Sequence, residues 1–411
     1  MHGFPPAPET VVPRRQWQDE PYVPWAFNHL RELLPTHRVA CSPGATRALP
    51  SGTRLDLTAI EVTRSDGASS TAAQIIADTW TDSVLVVHDG EVVVESYAGH
   101  AKWDRTHLLM SVTKSVVGCV AGVLVGRGLV DPNDQVSQHV PELDASGYSG
   151  ATVRDLLDMR SGISFREAYG DPDAELAELE RWIAEPAVLG EPTRGLYAFL
   201  TTLPADRPHG QTFSYRSCET DALGWVLERA TGTRMADLIS TTLWQPMGAE
   251  YDAELLIDGL GTAIHDGGLC ATARDIARFG LLLLDGGRFA GADIVPPGWL
   301  ARAWTVDADS RAAFAASPSE QQFPGGWYRD QLWVRPGPYG DVMLCIGIHG
   351  QLVHVNRRTR TVCVKMSTWP TPQHPRALVD TIRAFDEVGA RLAGASTQPP
   401  GRAGVATGKK H

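Results

Sequence analysis

A serine and a lysine three residues apart carry the clearest chemical signal in this sequence. Ser111 and Lys114 lie in a mostly apolar stretch, residues 108–127, which predicts a buried helix. Positions i and i+3 share one helix face, so the amine can reach the hydroxyl. The helix N-terminus stabilises an anion there, and burial with the same positive end lowers the pKa of a lysine. The pair is predicted to be a nucleophile activated without histidine.

A plain structural role for this pair remains open from the motif alone. A serine that caps the helix and a lysine that reaches from the helix end to solvent would give the same spacing. Lysine is rare in this chain, with five residues in all, and a fully buried lysine is unusual in any protein. A catalytic role for Lys114 therefore needs evidence from further residues.

Two later segments could supply that support. Tyr215 immediately precedes a predicted helix over 218–231, and a phenolate beside the Lys114 ammonium would be a base that titrates together with it. Gly347 interrupts a predicted strand over 341–348, which often marks a close approach of two backbones. A strand N–H aimed at the Ser111 hydroxyl could complete an oxyanion hole with the N–H of Ser111 itself.

Other chemistries are disfavoured by what the chain lacks. It has no Gly-x-Ser-x-Gly, His-Glu-x-x-His, Walker A or Gly-x-Gly-x-x-Gly sequence, so these common enzymatic signatures do not apply. His349 and His354 are five residues apart on strands, should face opposite sides of a sheet, and predict no metal site. A net charge of −11 argues against a general nucleic-acid partner.

The elements that must position these residues are strands at both ends of a helical block. Asp89-Gly90 between two β-branched runs predicts a hairpin over 83–97. Further strands are predicted at 328–335, 341–348, 351–357 and 361–367, and helices at 152–159, 174–184, 194–202, 218–231, 234–243, 272–284 and 375–393. This order predicts an α+β fold, in which one antiparallel sheet is flanked by helices and carries a helical insert.

The chain is predicted to contain one hydrolase-sized domain with two appendages. Residues 1–70 form an extension on the body with a helix near Trp25–Leu34, and 395–411 form a disordered tail. The domain, 71–394, has an α/β part (71–110 and 268–394) and a helical part (111–267). No signal-peptide pattern, no apolar run of membrane-spanning length and six scattered cysteines predict a cytoplasmic protein without a membrane partner. The oligomeric state stays open, a homodimer included.

The three motifs, in this order, resemble those of the serine β-lactamase and penicillin-binding-protein-like hydrolases, on the class C and esterase side. Ser111-x-x-Lys114, Tyr215-x-Ser217 and the Gly347 strand match that family's pattern. The segment Leu156-Leu-Asp-Met-Arg-Ser-Gly-Ile163 and the 267–280 segment are also similar. Within the family the resemblance is greatest to the 6-aminohexanoate-dimer hydrolases, which have carboxylesterase activity.

The resemblance implies a β-lactamase/transpeptidase-like fold and a role for each site residue. Ser111 is then the nucleophile, Lys114 its proton partner and Tyr215 the general base and later acid. The N–H groups of Ser111 and Ile348 form the oxyanion hole. Three further residues are implied to bind substrate: Tyr169 at the leaving nitrogen, Glu180 near a substrate ammonium, and Trp333 in the pocket. Asp266 stands where the family varies between neutral residues, and we expect a substrate ammonium to be attracted to Glu180 or Asp266.

A departure from the family pattern in the Gly347 strand affects which class of substrate we expect. Cys345-Ile-Gly347 stands where β-lactamases carry Lys-Thr-Gly, so the cation that reads a penicillin carboxylate is missing. We therefore expect a serine hydrolase that cleaves small linear amides or carboxylic esters through an acyl-enzyme, without a cofactor. A β-lactamase or D-alanyl-D-alanine peptidase and a catalytically silent binding domain are the alternatives.

Overall fold

A computed structural model of the chain describes residues 5–42, 44, 46–185 and 194–394. The predicted tail therefore lies outside the described residues. The strands, in chain order, are Thr36–Val39 (β1), Glu61–Thr63 (β2), Ser69–Thr71 (β3), Thr81–His88 (β4), Glu91–Tyr97 (β5), His107–Leu108 (β6), Ala253–Leu256 (β7), Leu269–Ala271 (β8), Arg288–Phe289 (β9), Ala292–Asp293 (β10), Trp327–Arg329 (β11), Leu332–Arg335 (β12), Val342–Gly347 (β13), Gln351–Asn356 (β14) and Thr361–Ser367 (β15).

Helices occupy the middle of the chain and both faces of the sheet. They are Val23–Ala26 (α1), Ala72–Asp78 (α2), Val112–Gly126 (α3), Val136–His139 (α4), Val153–Leu157 (α5), Glu175–Ala184 (α6), Leu196–Leu200 (α7), Ser217–Thr231 (α8), Met235–Ile239 (α9), Ala273–Leu284 (α10), Pro297–Trp304 (α11), Ala308–Ala315 (α12), Ser319–Gln322 (α13) and Pro375–Leu392 (α14). A π-helical turn, Ser240–Trp244, continues α9. Short 3-10 turns lie at Pro8–Thr10, Leu30–Glu32, Leu57–Ala59, Pro141–Ala145 and Ile348–Gly350.

The predicted antiparallel sheet is confirmed. Within the described residues, its strand order is β11-β12-β13-β14-β15-β4-β5, so the early hairpin joins the C-terminal meander edge to edge. Side chains alternate between two cores: Leu85 and Val87 pack with α3 and α10, whereas Val84 and Val86 pack with α2 and α14. The sheet is thereby buried on both faces, which explains its near-continuous apolar strands.

Local sequence explains several element boundaries. Asp89 and Gly90 both take positive φ, as the two-residue hairpin turn requires. Thr152 caps α5 in a reciprocal capping box with Asp155, and Thr272 caps α10 through the N–H of Asp275. These contacts satisfy helix N–H groups that would otherwise lack partners.

Three predicted elements need correction. The helix near Trp25–Leu34 is instead α1 and a separate 3-10 turn, because the Phe27 carbonyl accepts a hydrogen bond from Leu108 N–H rather than one within a helix. The strand 328–335 is a hairpin, β11 and β12, which turns at Asp330 and Gln331 with positive φ. The helix 108–127 begins only after Ser111, because residues 107–108 pair with β8.

A second, smaller sheet supports the site from the other side. Its order is β1-β7-β8-β6, so a strand of the N-terminal extension pairs with β7, and β6 leads directly into α3. Helix α3 then passes between the large sheet and the helical block that contains α8 and α9. Among the described residues, no helix is both long enough and apolar enough to cross a bilayer.

Candidate active site

Ser111 is the residue from which α3 begins. It is buried, and it occupies the N-cap position, where the helix leaves N–H groups without intrahelical partners. Met110 just before it has φ 47°, a conformation that is strained for a side chain of this size. The Ser111 side chain is therefore presented at a sharp bend between β6 and α3.

Lys114 is buried beneath Ser111. Its Nζ donates to Ser111 Oγ at 2.9 Å, to Ser217 Oγ at 3.0 Å and to the Asp266 carbonyl at 2.9 Å. The Asp266 carboxylate lies 3.3 Å from the same nitrogen. The Lys114 ammonium is thus surrounded by oxygen acceptors, and one of these acceptors is the hydroxyl of the predicted nucleophile.

The predicted lowering of the Lys114 pKa is wrong. Burial does lower it, but the negative charges of Tyr215, Asp266, Glu167 and Asp221 raise it by more, and the net pKa lies well above that of an ordinary lysine. These neighbours therefore favour the charged form of Lys114. The sequence pattern predicted burial correctly and could not predict the acidic groups that three separate segments bring to it.

Tyr215 lies directly before α8 and faces the lysine. The Lys114 Nζ is 5.4 Å from the centre of its ring. Burial raises the pKa of the Tyr215 phenol, while the Lys114 charge and the Ser111 hydroxyl lower it, and the net shift is upward. The structure brings Ser111, Lys114 and Tyr215 into one cluster in which the phenolate, when it forms, sits beside a cation.

A glycine, Gly347, allows the end of β13 to lie close to the segment that leads into Ser111. A Cβ added at Gly347 would lie 2.4 Å from the Leu109 carbonyl oxygen, a distance that no side chain permits. The last residue of β13 thus packs backbone to backbone against the segment that enters α3. Ile348 follows at once and begins a 3-10 turn over Ile348–Gly350.

The four residues expected to bind substrate lie around this cluster. The Trp333 ring lies 5.0 Å from the Tyr215 ring, centre to centre. Asp266 contacts Lys114, and the charge of Asp266 raises the pKa of Glu180 on α6 in addition to the effect of partial burial. Tyr169 donates to Glu167 at 2.7 Å. Trp333 and Asp266 thus contact members of the cluster, Tyr169 contacts its neighbour Glu167, and Glu180 lies within electrostatic range of Asp266.

Sequence reasoning missed two acidic residues, Glu167 and Asp221. The Glu167 carboxylate accepts from Ser217 N–H, from Ser217 Oγ at 3.1 Å and from Tyr169. Burial raises its pKa despite the neighbouring Lys114. Nothing in the sequence marks Glu167 except its place two residues before Tyr169, whereas Ser217 could have been read from the Tyr215-x-Ser217 spacing.

Asp221 binds the backbone next to the site. Its Oδ1 accepts from His265 N–H at 3.1 Å and from Asp266 N–H at 3.2 Å. Burial and the Asp266 charge raise the pKa of Asp221 well above its ordinary value. Asp221 is therefore placed to orient the 265–266 backbone, whose carbonyl at Asp266 accepts from Lys114.

Comparison with known proteins decides the family. Residues 72–386 match the family model described as beta-lactamase, which is most of the chain and includes the Ser111 cluster. The chain belongs to the beta-lactamase family. Members of this family are serine hydrolases that act on amides or esters, and this chain is such a hydrolase, as its motifs predicted.

Relatives within and around the family sharpen the comparison. The chain is 39% identical over 383 residues to the 6-aminohexanoate-dimer hydrolase of Paenarthrobacter ureafaciens, which covers 90% of this chain and 94% of the relative. A structure from Bacillus anthracis, provisionally assigned as a 6-aminohexanoate-dimer hydrolase, has a TM-score of 0.84 and 25% identity, and the match covers 95% and 99% of the two chains.

More distant structures share the fold. A family VIII carboxylesterase has a TM-score of 0.57 and 18% identity, over 77% of this chain and 96% of the other. Together with the Bacillus anthracis structure, it confirms the predicted β-lactamase/transpeptidase-like architecture of an antiparallel sheet flanked by helices.

Proposed function

We propose that this hydrolase cleaves short linear amides and carboxylic esters through an acyl-enzyme on Ser111. The observation that carries the proposal is the 2.9 Å contact between Ser111 Oγ and the buried Lys114 Nζ at the start of α3. A hydroxyl at a helix N-terminus and beside a cation is favoured as an alkoxide. No metal or organic cofactor is needed for this chemistry.

Tyr215 is assigned the proton transfers. The Lys114 ammonium stabilises the phenolate, which takes the Ser111 proton as Oγ forms a bond to the substrate carbonyl carbon. The resulting phenol then gives that proton to the departing amine or alcohol when the carbon–leaving-group bond breaks. In deacylation, water loses a proton to the Tyr215 phenolate, attacks the acyl carbon, and Ser111 recovers the proton.

The backbone N–H groups of Ser111 and Ile348 are proposed as the oxyanion hole. Support comes from the close backbone contact between Gly347 and Leu109, since it brings the end of β13 next to the start of α3. Two preorganised N–H donors stabilise the negative oxygen of a tetrahedral intermediate. Both donors are main-chain N–H groups, so the backbone path decides whether the hole exists.

The acyl group is proposed to be short, aliphatic and terminated by an ammonium. Two carboxylates, Glu180 and Asp266, interact electrostatically beside the cluster, and no described residue forms a hydrogen bond or ion pair with Glu180. Tyr169 would contact the leaving nitrogen of the substrate, and Trp333 would form a wall of the substrate pocket. The 39% identity to a 6-aminohexanoate-dimer hydrolase supports linear 6-aminohexanoate oligomers as substrates.

A matched pair of substrates tests this proposal. The p-nitrophenyl esters of hexanoate and 6-aminohexanoate differ by a single ammonium group, and both are compared with 6-aminohexanoate dimer. Glu180→Gln should lower kcat/KM for the ammonium ester by up to about fivefold, because an exposed ion pair contributes up to about 1 kcal/mol. The hexanoate ester should be unaffected. Equal effects on both esters would remove Glu180 from substrate binding.

Labelling with a fluorophosphonate probe separates the enzyme from its alternatives. The intact chain should be labelled and Ser111→Ala should not, whereas a silent binding domain would remain unlabelled in both forms. Slow or absent turnover of penicillins is expected, because no lysine stands at the Cys345-Ile-Gly347 strand. Efficient penicillin hydrolysis would favour the β-lactamase alternative over the linear-amide assignment.

A cytoplasmic location is part of the same proposal. All six cysteines are unpaired thiols, and five of them are buried. Thiols persist in reducing compartments, whereas exported proteins tend to pair them.

A further inference from the structure

A residue of the N-terminal extension reaches both sides of the proposed oxyanion hole. Phe27 lies outside the 72–386 segment that matches the family, yet it is 1% exposed. Its ring meets His107 edge to face at 5.7 Å between centres, and His349 in the same manner at 5.2 Å. These two histidines belong to the two backbone segments that would supply the oxyanion donors.

On the nucleophile side, Phe27 contacts the strand that leads into α3. Its carbonyl accepts a hydrogen bond from Leu108 N–H at 2.9 Å, three residues before Ser111. The His107 ring is held between Asp82, at 2.9 Å from Nε2, and the Leu108 carbonyl, at 2.8 Å from Nδ1. The backbone that enters Ser111 is thus attached to Phe27 by both main chain and ring.

On the other side, Phe27 packs on the residue that follows Ile348. His349 takes φ 56°, donates from its N–H to the Pro372 carbonyl at 2.8 Å and from Nδ1 to the Trp369 carbonyl at 2.7 Å. Burial lowers the pKa of His349, which keeps the ring neutral against the apolar Phe27 face. The chain therefore turns at a fixed, strained residue directly after Ile348.

We propose that Phe27 and His349 are positioning residues, which hold the Ser111 and Ile348 N–H groups at the separation that an oxyanion requires. The proposal rests on the proposed function, since it needs those two N–H groups to act on a tetrahedral intermediate. Oxyanion donors must lie within a narrow distance range, and a displacement of about 1 Å costs roughly a hundredfold in rate. A rigid aromatic wedge between the two segments prevents that displacement.

The test compares an oxygen ester with its thionoester in variants of Phe27. The sulfur of a thionoester accepts weaker and longer hydrogen bonds, so a well-formed oxyanion hole favours the oxygen ester strongly. Phe27→Ala should lower kcat for the oxygen ester by roughly tenfold to a hundredfold with KM little changed, and the rate ratio between the two esters should shrink. Phe27→Leu, which retains most of the packing, should show an intermediate effect.

Variants of His349 test the same hole from the other side. Asparagine tolerates a positive φ and keeps a short donor, whereas alanine does neither. His349→Ala should therefore lose the oxygen-ester preference, and His349→Asn should restore part of it. This rescue would not follow if His349 merely filled space.

Two controls separate the possible failures. Val23→Ala removes buried volume from α1, the helix that ends just before Phe27, and should lower the midpoint of unfolding but not the ester ratio. Turnover that survives in Ser111→Ala would overturn the proposed function itself. If Ser111→Ala is inactive while the Phe27 and His349 variants keep the ester ratio of Val23→Ala, the positioning role alone is wrong.

Discussion

Lys114 is the residue whose charge the fold decides. Its spacing from Ser111 and its apolar surroundings predict burial, and burial alone would make a neutral amine. The acidic groups contributed by the loop at Glu167, by α8 and by Asp266 reverse that outcome and raise its pKa. In the proposed mechanism, Lys114 then supplies the positive charge and Tyr215 moves the proton.

The rate of ester hydrolysis should therefore rise with pH. Tyr215 acts as a base only when deprotonated, and burial raises its pKa above the ordinary value of about 10. Below that pKa the phenolate fraction grows about tenfold per pH unit, while Lys114, with its own pKa raised, stays charged. kcat/KM should climb between roughly pH 6 and 10 without a plateau.

The background rate of Ser111→Ala is subtracted at each pH, and Tyr215→Phe should abolish the pH-dependent rise. A plateau near neutral pH in the intact enzyme would mean that Tyr215 is not the titrating base.

Glu167 should affect turnover although no hydrogen bond joins it to Ser111, Lys114 or Tyr215. Glu167→Gln keeps the shape of the side chain but removes a negative charge that raises the pKa of Lys114. The substitution also weakens the acceptor for the Ser217 hydroxyl. We expect kcat to fall by about tenfold, the usual value of one charged hydrogen bond. Ester kinetics and the urea midpoint are measured together.

Glu178→Gln provides the matched control, because Glu178 is exposed on α6. Both variants lose one carboxylate from neighbouring segments. A Glu167→Gln enzyme with the kcat of Glu178→Gln would show that the carboxylate near Ser217 is dispensable.

At the scale of elements, the site depends on how closely β13 approaches α3. Gly347 is the contact point, and the strained Met110 on the opposite side shows how sharply the chain must turn there. A side chain at Gly347 cannot be accommodated unless this backbone shifts.

Gly347→Ala should reduce turnover by about a hundredfold or more, because its Cβ would meet the Leu109 carbonyl oxygen at 2.4 Å and push the Ile348 N–H away. Gly298→Ala on α11 is the control, since nothing lies within 4 Å of its added Cβ. That control should retain activity and gain up to about 1 kcal/mol of stability. Equal turnover in the two variants would contradict a close approach of β13.

At the scale of the whole molecule, the acidic surplus bears on the proposed substrate. The chain carries a net charge of −11, and Glu180 and Asp266, the two carboxylates of the proposed substrate site, have the same sign. Such a field attracts cationic substrates and is screened by salt.

The preference for an ammonium ester over its neutral analogue should therefore weaken with ionic strength. Between about 10 mM and 1 M salt the Debye length falls from about 30 to 3 Å, so kcat/KM of the 6-aminohexanoate ester should drop relative to that of the hexanoate ester. The ratio of the two values cancels any general effect of salt on the enzyme. A salt-independent ratio would argue that charge plays no part in recognition.

Much of the fold follows from local pattern. The Asp89-Gly90 turn, the alternating strands around Val353 and the capped helix that begins after Thr272 were all predictable, since turn chemistry and periodicity act over a few residues. The elements that were predicted wrongly depend on distant partners. Residues 107–108 leave the helix to pair with β8, and the helix after Trp25 breaks where the Phe27 carbonyl meets Leu108.

The sequence by itself determined the chemistry available to this protein: a serine and lysine on one helix face, a tyrosine before a later helix, and a glycine that permits a close backbone contact. Only the tertiary structure decided the charge on Lys114, the membership of Glu167 in the site and the contact of Phe27 with both flanking histidines. The reason is physical. Spacing along the chain fixes which groups share an element, whereas pKa values and oxyanion geometry depend on groups that only folding brings within a few ångströms.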